Sequence, residues 1–326
     1  MKKKFNILYV YEERIPIAIR KLVINELKNY NFNIKSMTYK TSIDSQKKLF
    51  AWSDSVFFGP GRYINPEAIS KIKKKNFFQL WSSGYDKFNV ADCSKKNIIV
   101  CNNGSQNYIS VAEHAVLLML SLNKKLINFH KITVDGRWKN NSHGFDLYEM
   151  HNKTLGIIGL GKIGLKVAEI CSGFKMNIIY HDINRKSEMI EKKYNLKYVS
   201  KNTLLKKSDI VTLHIHLSKK TLNYINNKNI NLLKKSSILI NVSRAELIHK
   251  ASLFNCLKNK KIRGAGLDVH YQEPTKKNDS INSLDNVIVT PHIAGSTYNT
   301  HIRVIKNCVL NIYNHLNGNK IKWRIN

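Results

Sequence analysis

Short apolar runs alternate with helix-length amphipathic stretches along most of this chain. FNILYV (Phe5–Val10) is followed by a helical pattern around Ile17–Lys28, and FNIKSMTY returns as a second strand. SVFFG (Ser55–Gly59), FFQLW (Phe77–Trp81) and IIVCN (Ile98–Asn102) continue the series. This alternation predicts an α/β protein with parallel sheets. A small doubly wound domain is expected over about the first hundred residues.

A longer apolar segment, Ser110–Leu126, places Val111, Ala115, Leu118 and Leu122 at helical spacing. The Gly- and Asn-rich stretch Gly136–Asn152 then leads into a second strand series: TLGIIGLG, MNIIYHD, DIVTLHIHL, SILINVS, GAGLDV and NVIVT. Helix-length segments separate them, which is the repetition a dinucleotide-binding domain needs. Thr300–Leu316 is amphipathic and is expected to pack back on the first domain. The chain has no repeat of solenoid period and no low-complexity linker.

Composition narrows the class. A length of 326 residues suits two domains better than one core, and 43% hydrophobic residues argues against disorder. The best apolar run, AVLLMLSL (Ala115–Leu122), is far shorter than the ~20 residues of a bilayer-crossing helix. MKKKFNILYV begins like a secretory leader, but Tyr11, Glu12, Glu13 and Arg14 cut its apolar stretch short, and no small-residue cleavage site follows. A cytoplasmic protein without membrane attachment is the expectation. Cys93, Cys101, Cys171, Cys256 and Cys308 are scattered and form no CxxC pair, so buried reduced thiols are expected rather than a zinc site or disulfide framework.

The charge is unusual: 54 Lys+Arg against 22 Asp+Glu, a net +32. A polyanion partner is one reading. The lysines, however, are spread along the chain, with short clusters such as Lys71–Lys75 and no long basic arm or RNA-binding signature. Nucleic acid is therefore expected to bind only non-specifically.

Candidate chemistry begins at LGIIGLGKIG, an apolar strand running into Gly159-x-Gly161-x-x-Gly164 and then a helical segment. Gly159 permits a tight turn, Gly161 lets backbone approach a pyrophosphate, and Gly164 lets the helix pack on the strand. A second strand ends in Asp182, eighteen residues past Gly164. An acid there accepts both ribose hydroxyls and repels a 2′-phosphate, which favours NAD over NADP. Arg185 and Lys186 follow at once and could receive a phosphate if Asp182 turned aside.

Three later segments carry ionisable residues at strand ends: INVSRAEL with Arg244, GAGLDVHYQEP with Asp268 and Glu273, and NVIVTPHIAG with His292. Ligands of doubly wound sheets bind beyond the carboxyl ends of strands, so these groups could converge. Each also has a plain alternative: a surface ion pair, a loop, a capped turn.

Taken with FQLWSSGYDKFNV and NNGSQNYISVAEHAVLLMLSL, these segments resemble the D-isomer-specific 2-hydroxyacid dehydrogenase family, in order and over essentially the whole chain. The resemblance implies two doubly wound parallel-sheet domains. A Rossmann NAD-binding domain (residues 105–293) would be inserted in a flavodoxin-like substrate domain (1–104 and 294–326). It implies NAD-dependent interconversion of 2-keto acids and D-2-hydroxy acids, of glyoxylate/hydroxypyruvate or 3-phosphoglycerate type. Arg244 would hold the substrate carboxylate, His292 would exchange a proton with the substrate oxygen, and Glu273 would orient His292 and favour its imidazolium. Ser83 and Gly84 would complete the carboxylate cradle. Gly159, Gly161, Lys162, Ile163, Gly164, Asp182, His214, Ser243 and Asp268 would bind cofactor, Asp268 near the nicotinamide. A homodimer built on the second domain is also implied, with the region around Trp138 reaching toward the partner.

Ala245, His216 and Asn103 depart from the family pattern, standing for a glycine and two prolines. Arg62 and Lys87 are candidates for a phosphorylated substrate. A dinucleotide-binding regulatory module of the same fold, like the C-terminal-binding-protein corepressors, is the alternative function. His214 with His216, and His143 with His151, invite a metal reading, but no third ligand or HExxH spacing accompanies them, so no metal is expected.

Overall fold

In the first strand, β1 (Asn6–Tyr11), Ile7 and Tyr9 belong to one apolar cluster while Leu8 and Val10 belong to another. Both faces of the strand are therefore buried, as a parallel sheet covered by helices demands. The computed structural model describes residues 4–60, 64–70, 72, 76–138 and 144–326. Two units result: Met1–Asn107 with Ser296–Asn326, and the inserted Tyr108–Gly295.

In the first unit β1 is followed by α1 (Ile17–Asn29), β2 (Asn33–Thr38), α2 (Ile43–Trp52), β3 (Ser55–Phe58), α3 (Pro66–Ser70), β4 (Phe77–Leu80), α4 (Val90–Lys95) and β5 (Ile99–Cys101). The five strands are parallel in the order β2-β1-β3-β4-β5, the flavodoxin-like winding.

The second unit begins with α5 (Tyr108–Lys124) and α6 (Leu126–Val134). The pattern predicts one helix over Ser110–Leu126, but Lys125 takes left-handed backbone (φ 50°) and divides it. Then come β6 (Thr154–Ile158), α7 (Lys162–Ser172), β7 (Asn177–His181), α8 (Glu188–Lys193), β8 (Leu196–Tyr198), α9 (Lys201–Lys207), β9 (Ile210–Leu213), β10 (Ile238–Asn241), α10 (Lys250–Lys258), β11 (Gly264–Leu267) and β12 (Val287–Val289). Their order, β12-β11-β10-β9-β6-β7-β8, is the Rossmann winding with one strand added. Leu155, Ile157, Ile178 and Ile240 pack with Val111, Ala115 and Leu118 of α5 and Val167 and Ala168 of α7 on one face. Val211, Leu213 and Leu239 meet Leu204 of α9 and Leu253 of α10 on the other.

Helix α11 (Tyr298–Leu316) returns to the first unit, where Val304, Ile305, Cys308, Val309 and Ile312 join the cluster around Tyr9 and Phe57. Thr297 caps it by accepting from the Thr300 amide. All five cysteines are buried free thiols. Among the described residues no helix is long and apolar enough to cross a membrane.

Candidate active site

Parallel pairing aligns the strand ends of the second unit. His181, Ile158, Leu213, Asn241, Leu267 and Val289 form one register row across β7, β6, β9, β10, β11 and β12. Chain order reverses between β6 and β9, and the crevice beyond such a reversal is where ligands of this architecture bind. Gly159 lies one residue past the row, Arg244 and His292 three, and Glu273 six.

The glycine turn has the shape a phosphate needs. Gly159 has φ +92°, and a Cβ there would stand 2.7 Å from the His214 carbonyl oxygen. A Cβ on Gly164 would stand 2.1 Å from the Gly159 oxygen, so α7 packs directly on the turn. A Cβ on Gly161 would meet nothing within 4 Å. α7 begins at Lys162 and Ile163 directly after Gly161, so the positive end of the helix lies beside that space. Asp182 borders it: Oδ2 accepts from the Leu160 amide at 2.6 Å and Oδ1 from the Asn184 amide at 3.1 Å.

His292 Nδ1 lies 2.9 Å from Glu273 Oε1, which also accepts from the His270 amide at 3.2 Å. His292 has left-handed backbone (φ 54°), a cost that positions the imidazole at the loop surface, 41% exposed. Arg244 is half-buried and directs Nη1 to the Ser243 carbonyl at 2.7 Å. Its own carbonyl accepts from Asn241 Nδ2, and Ser243 Oγ donates to the Leu213 carbonyl, so the segment is tied to two strand ends. Ala245 opens a 3-10 turn and takes no left-handed backbone, so its methyl in place of glycine is accommodated.

Asp268 is fully buried, and its carboxylate is engaged by the His292 loop. Oδ1 accepts from Thr290 Oγ1 at 2.5 Å and the Ile293 amide at 2.9 Å, and Oδ2 accepts from the Ala294 amide at 2.8 Å. His114 of α5 stands beside it, Nε2 2.9 Å from Thr290 Oγ1 and 3.6 Å from Asp268 Oδ1. His270 Nε2 reaches the Thr290 carbonyl at 2.9 Å. Sequence reasoning did not single out His114, His270 or Thr290, because none belongs to a recognisable spacing.

His214 lies past the end of β9, so strand alternation does not pair it with exposed His216. Its Nε2 meets Thr212 Oγ1 at 2.9 Å, while Nδ1 is sealed without a protein partner. Burial pushes its pKa down to about 3, which keeps the ring neutral. Among the described residues no group of three His, Cys, Asp or Glu could hold a metal. His143, Arg62 and the lysines of the Lys71–Lys75 cluster lie outside the described residues.

In the first unit Ser83 and Gly84 follow β4. Ser83 Oγ lies 2.6 Å from Asn103 Oδ1 and 2.8 Å from Asn107 Oδ1. Asn103, in the position of a family proline, donates to the Trp81 carbonyl and is 2% exposed. It thus ties the loop after β5 to the loop after β4. Gly84 lines a small cavity with Tyr39, Phe58, Ser82 and Lys87.

Known proteins resemble this chain in sequence and fold. A family model described as "D-isomer specific 2-hydroxyacid dehydrogenase, NAD binding domain" matches residues 116–294. The chain is 32% identical over 243 residues to the glyoxylate reductase of Korarchaeum cryptofilum (strain OPF8), covering 74% of this chain and 73% of that protein. It is 31% identical over 263 residues to the D-3-phosphoglycerate dehydrogenase of Archaeoglobus fulgidus, covering 81% of this chain and 49% of the relative. A solved acyclic imino acid reductase, in complex with NADPH and D-Arg, matches with TM-score 0.85 at 28% identity over 98% of this chain and 100% of that one. The chain belongs to the D-isomer specific 2-hydroxyacid dehydrogenase family. It is an oxidoreductase, a dinucleotide-dependent D-2-hydroxyacid dehydrogenase whose Tyr108–Gly295 unit carries the NAD-binding domain.

Proposed function

We propose that the protein interconverts small 2-keto acids and D-2-hydroxy acids with NAD(H), with glyoxylate or hydroxypyruvate as the keto acid. The observation that carries this reading is the register row: Arg244 and the Glu273–His292 pair leave neighbouring strands beyond the same edge as the glycine turn. The names of the curated relatives favour glyoxylate among keto acids.

Gly161, the N-terminus of α7 at Lys162 and Ile163, and Asp182 fit a dinucleotide: open space at Gly161, the positive end of a helix and a fixed acid. When bound, NADH supplies the hydride. Arg244 offers the planar fork that a carboxylate prefers. Glu273 accepts from His292 Nδ1, which leaves Nε2 to give a proton to the substrate oxygen in reduction or take one in oxidation. Asp268 serves as a positioning residue for the His292 loop, while Ser243 and His214 border the turn. Ser83 and Gly84 enter as donors to the substrate carboxylate.

NAD is preferred over NADP, because Asp182 is held at the glycine turn by two amide hydrogen bonds. A homodimer is part of the proposal. Leu117, Leu126, Ile127, Val134 and Trp138 are exposed along and after α5 and α6, an apolar surface that a second copy would cover. The test is NADH oxidation by purified protein with glyoxylate and hydroxypyruvate. Absence of turnover on a panel of 2-keto acids, with NADH and NADPH alike, would overturn the proposal.

A further inference from the structure

Arg185 lies three residues beyond Asp182, in the turn between β7 and α8, where a cation would ordinarily meet a 2′-phosphate. Its guanidinium is already engaged. Nε donates to Glu191 Oε1 at 3.0 Å and Nη2 to Glu191 Oε2 at 2.9 Å, a two-pronged pair. Glu191 is itself anchored: its side chain is only 10% exposed, and the buried Tyr180 hydroxyl donates to Oε1 at 2.6 Å. The same hydroxyl accepts from the Lys186 amide at 2.9 Å, fixing the turn that carries Arg185. Tyr198 completes the frame, with its ring 5.7 Å beneath the guanidinium and its hydroxyl donating to the Asp182 carbonyl.

The electrostatic consequence is specific. Arg185, its side chain 60% exposed, and Glu191 neutralise each other, which leaves Asp182 and the Lys186 ammonium as the remaining charges at the turn. A ligand phosphate there meets a fixed anion and finds the nearest arginine committed elsewhere.

We propose that Glu191 is a specificity-determining residue, which withholds Arg185 from the 2′-phosphate of NADPH and so sets the preference for NADH. The inference rests on the cofactor reading above and deepens it. Glu191 touches no ligand in this account. It acts through Arg185, and Tyr180 holds it in place.

The test is fluorescence titration of NADH and NADPH on four proteins: unaltered, Glu191→Gln, Arg185→Ala and the double variant. Glu191→Gln keeps the size and a partner for Tyr180 but loses the charge that holds Arg185. It should tighten NADPH about five- to tenfold, with NADH binding changed less than about twofold. Arg185→Ala alone should leave the NADPH/NADH ratio unchanged, because the guanidinium is already withheld. The double variant should lose the gain. An unchanged ratio in Glu191→Gln, a gain that survives removal of Arg185, or a marked loss of NADPH affinity in Arg185→Ala would each overturn the proposal. The last of these needs no Glu191 variant to fold. Failure of the unaltered protein to bind NADH would overturn the cofactor reading itself, and this inference with it.

Discussion

His292 Nδ1 stands 2.9 Å from Glu273 Oε1, joining residues nineteen positions apart that leave the sheet from adjacent strands. The His270 amide, also bonded to Oε1, fixes the carboxylate from its own side. Glu273 therefore sets where His292 Nε2 points. With His292 as the proposed proton donor, His292→Asn should lose about 10²–10⁴ in kcat for keto-acid reduction. Glu273→Gln keeps the size but not the charge and should lose less, roughly tenfold. Steady-state kinetics with NADH read both, and full activity in the His292 variant would sink the assignment.

Asp268 gives a second prediction. Removing its buried carboxylate takes the acceptor from the Ile293 and Ala294 amides and leaves the Thr290 hydroxyl with His114 alone. Asp268→Ala should lower unfolding stability by about 3 kcal/mol or more, measured by denaturant titration. Asp268→Asn, which retains one acceptor, should stay folded and lose kcat while its KM for NADH changes little, since the loop that moves carries His292. If KM for NADH rises instead while kcat holds, Asp268 is a cofactor contact and not a positioning residue.

The three glycines of the turn should separate cleanly. Gly159→Ala and Gly164→Ala drive a methyl into backbone oxygens and should each cost more than about 2 kcal/mol of stability. Gly161→Ala has room and should cost no more than about 1 kcal/mol. Its penalty should fall on NADH binding, where the methyl occupies the space a pyrophosphate would use. Thermal melting with NADH titration checks the contrast; equal destabilisation at all three positions would contradict it.

Much of the fold is legible because strands buried on both faces carry consecutive apolar residues, as Ile7–Val10 and Ile238–Ile240 do. β8 was missed for the converse reason: its three residues, Leu196–Tyr198, bury only Leu196 and pair at the sheet edge with β7 alone. The break at Lys125 was equally hidden, since α5 and α6 are apolar on either side of it and lysine carries no turn signal. At the site, residues in spaced motifs could be named from sequence. Those that hold them could not: His114 and Thr290 act through contacts between separated segments, and Glu191 through a pair six residues apart that no motif marks. Asn103 shows the limit from another side: sequence marks only a departure from the family's proline, whereas its side chain ties two loops together.

Acid should destabilise the protein in two distinguishable windows. His214 has its folded pKa lowered to about 3 by burial, below the ordinary 6.5, so the unfolded chain binds the extra proton. Its neutral form is matched to the fold above pH 6.5, and stability falls as pH drops from there toward 3. Glu191 has its folded pKa lowered to about 2 by the Arg185 and then the Tyr180 hydrogen bonds, below the ordinary 4.5. Its contribution is full above pH 4.5 and is lost as pH falls through the folded value. Between pH 6.5 and 4.5, then, His214 acts and Glu191 does not; His214 contributes a slope of at most about 1.4 kcal/mol per pH unit, to which His301, its pKa also lowered by burial, adds. Urea unfolding at pH 7, 6 and 5 should show this slope in the unaltered protein and a shallower one in His214→Gln. Parallel profiles would mean that the folded protein protonates His214 as readily as the unfolded chain. The Arg185–Glu191 pair should survive that whole range, so acidification to pH 5 should not improve NADPH binding relative to NADH through loss of this clamp.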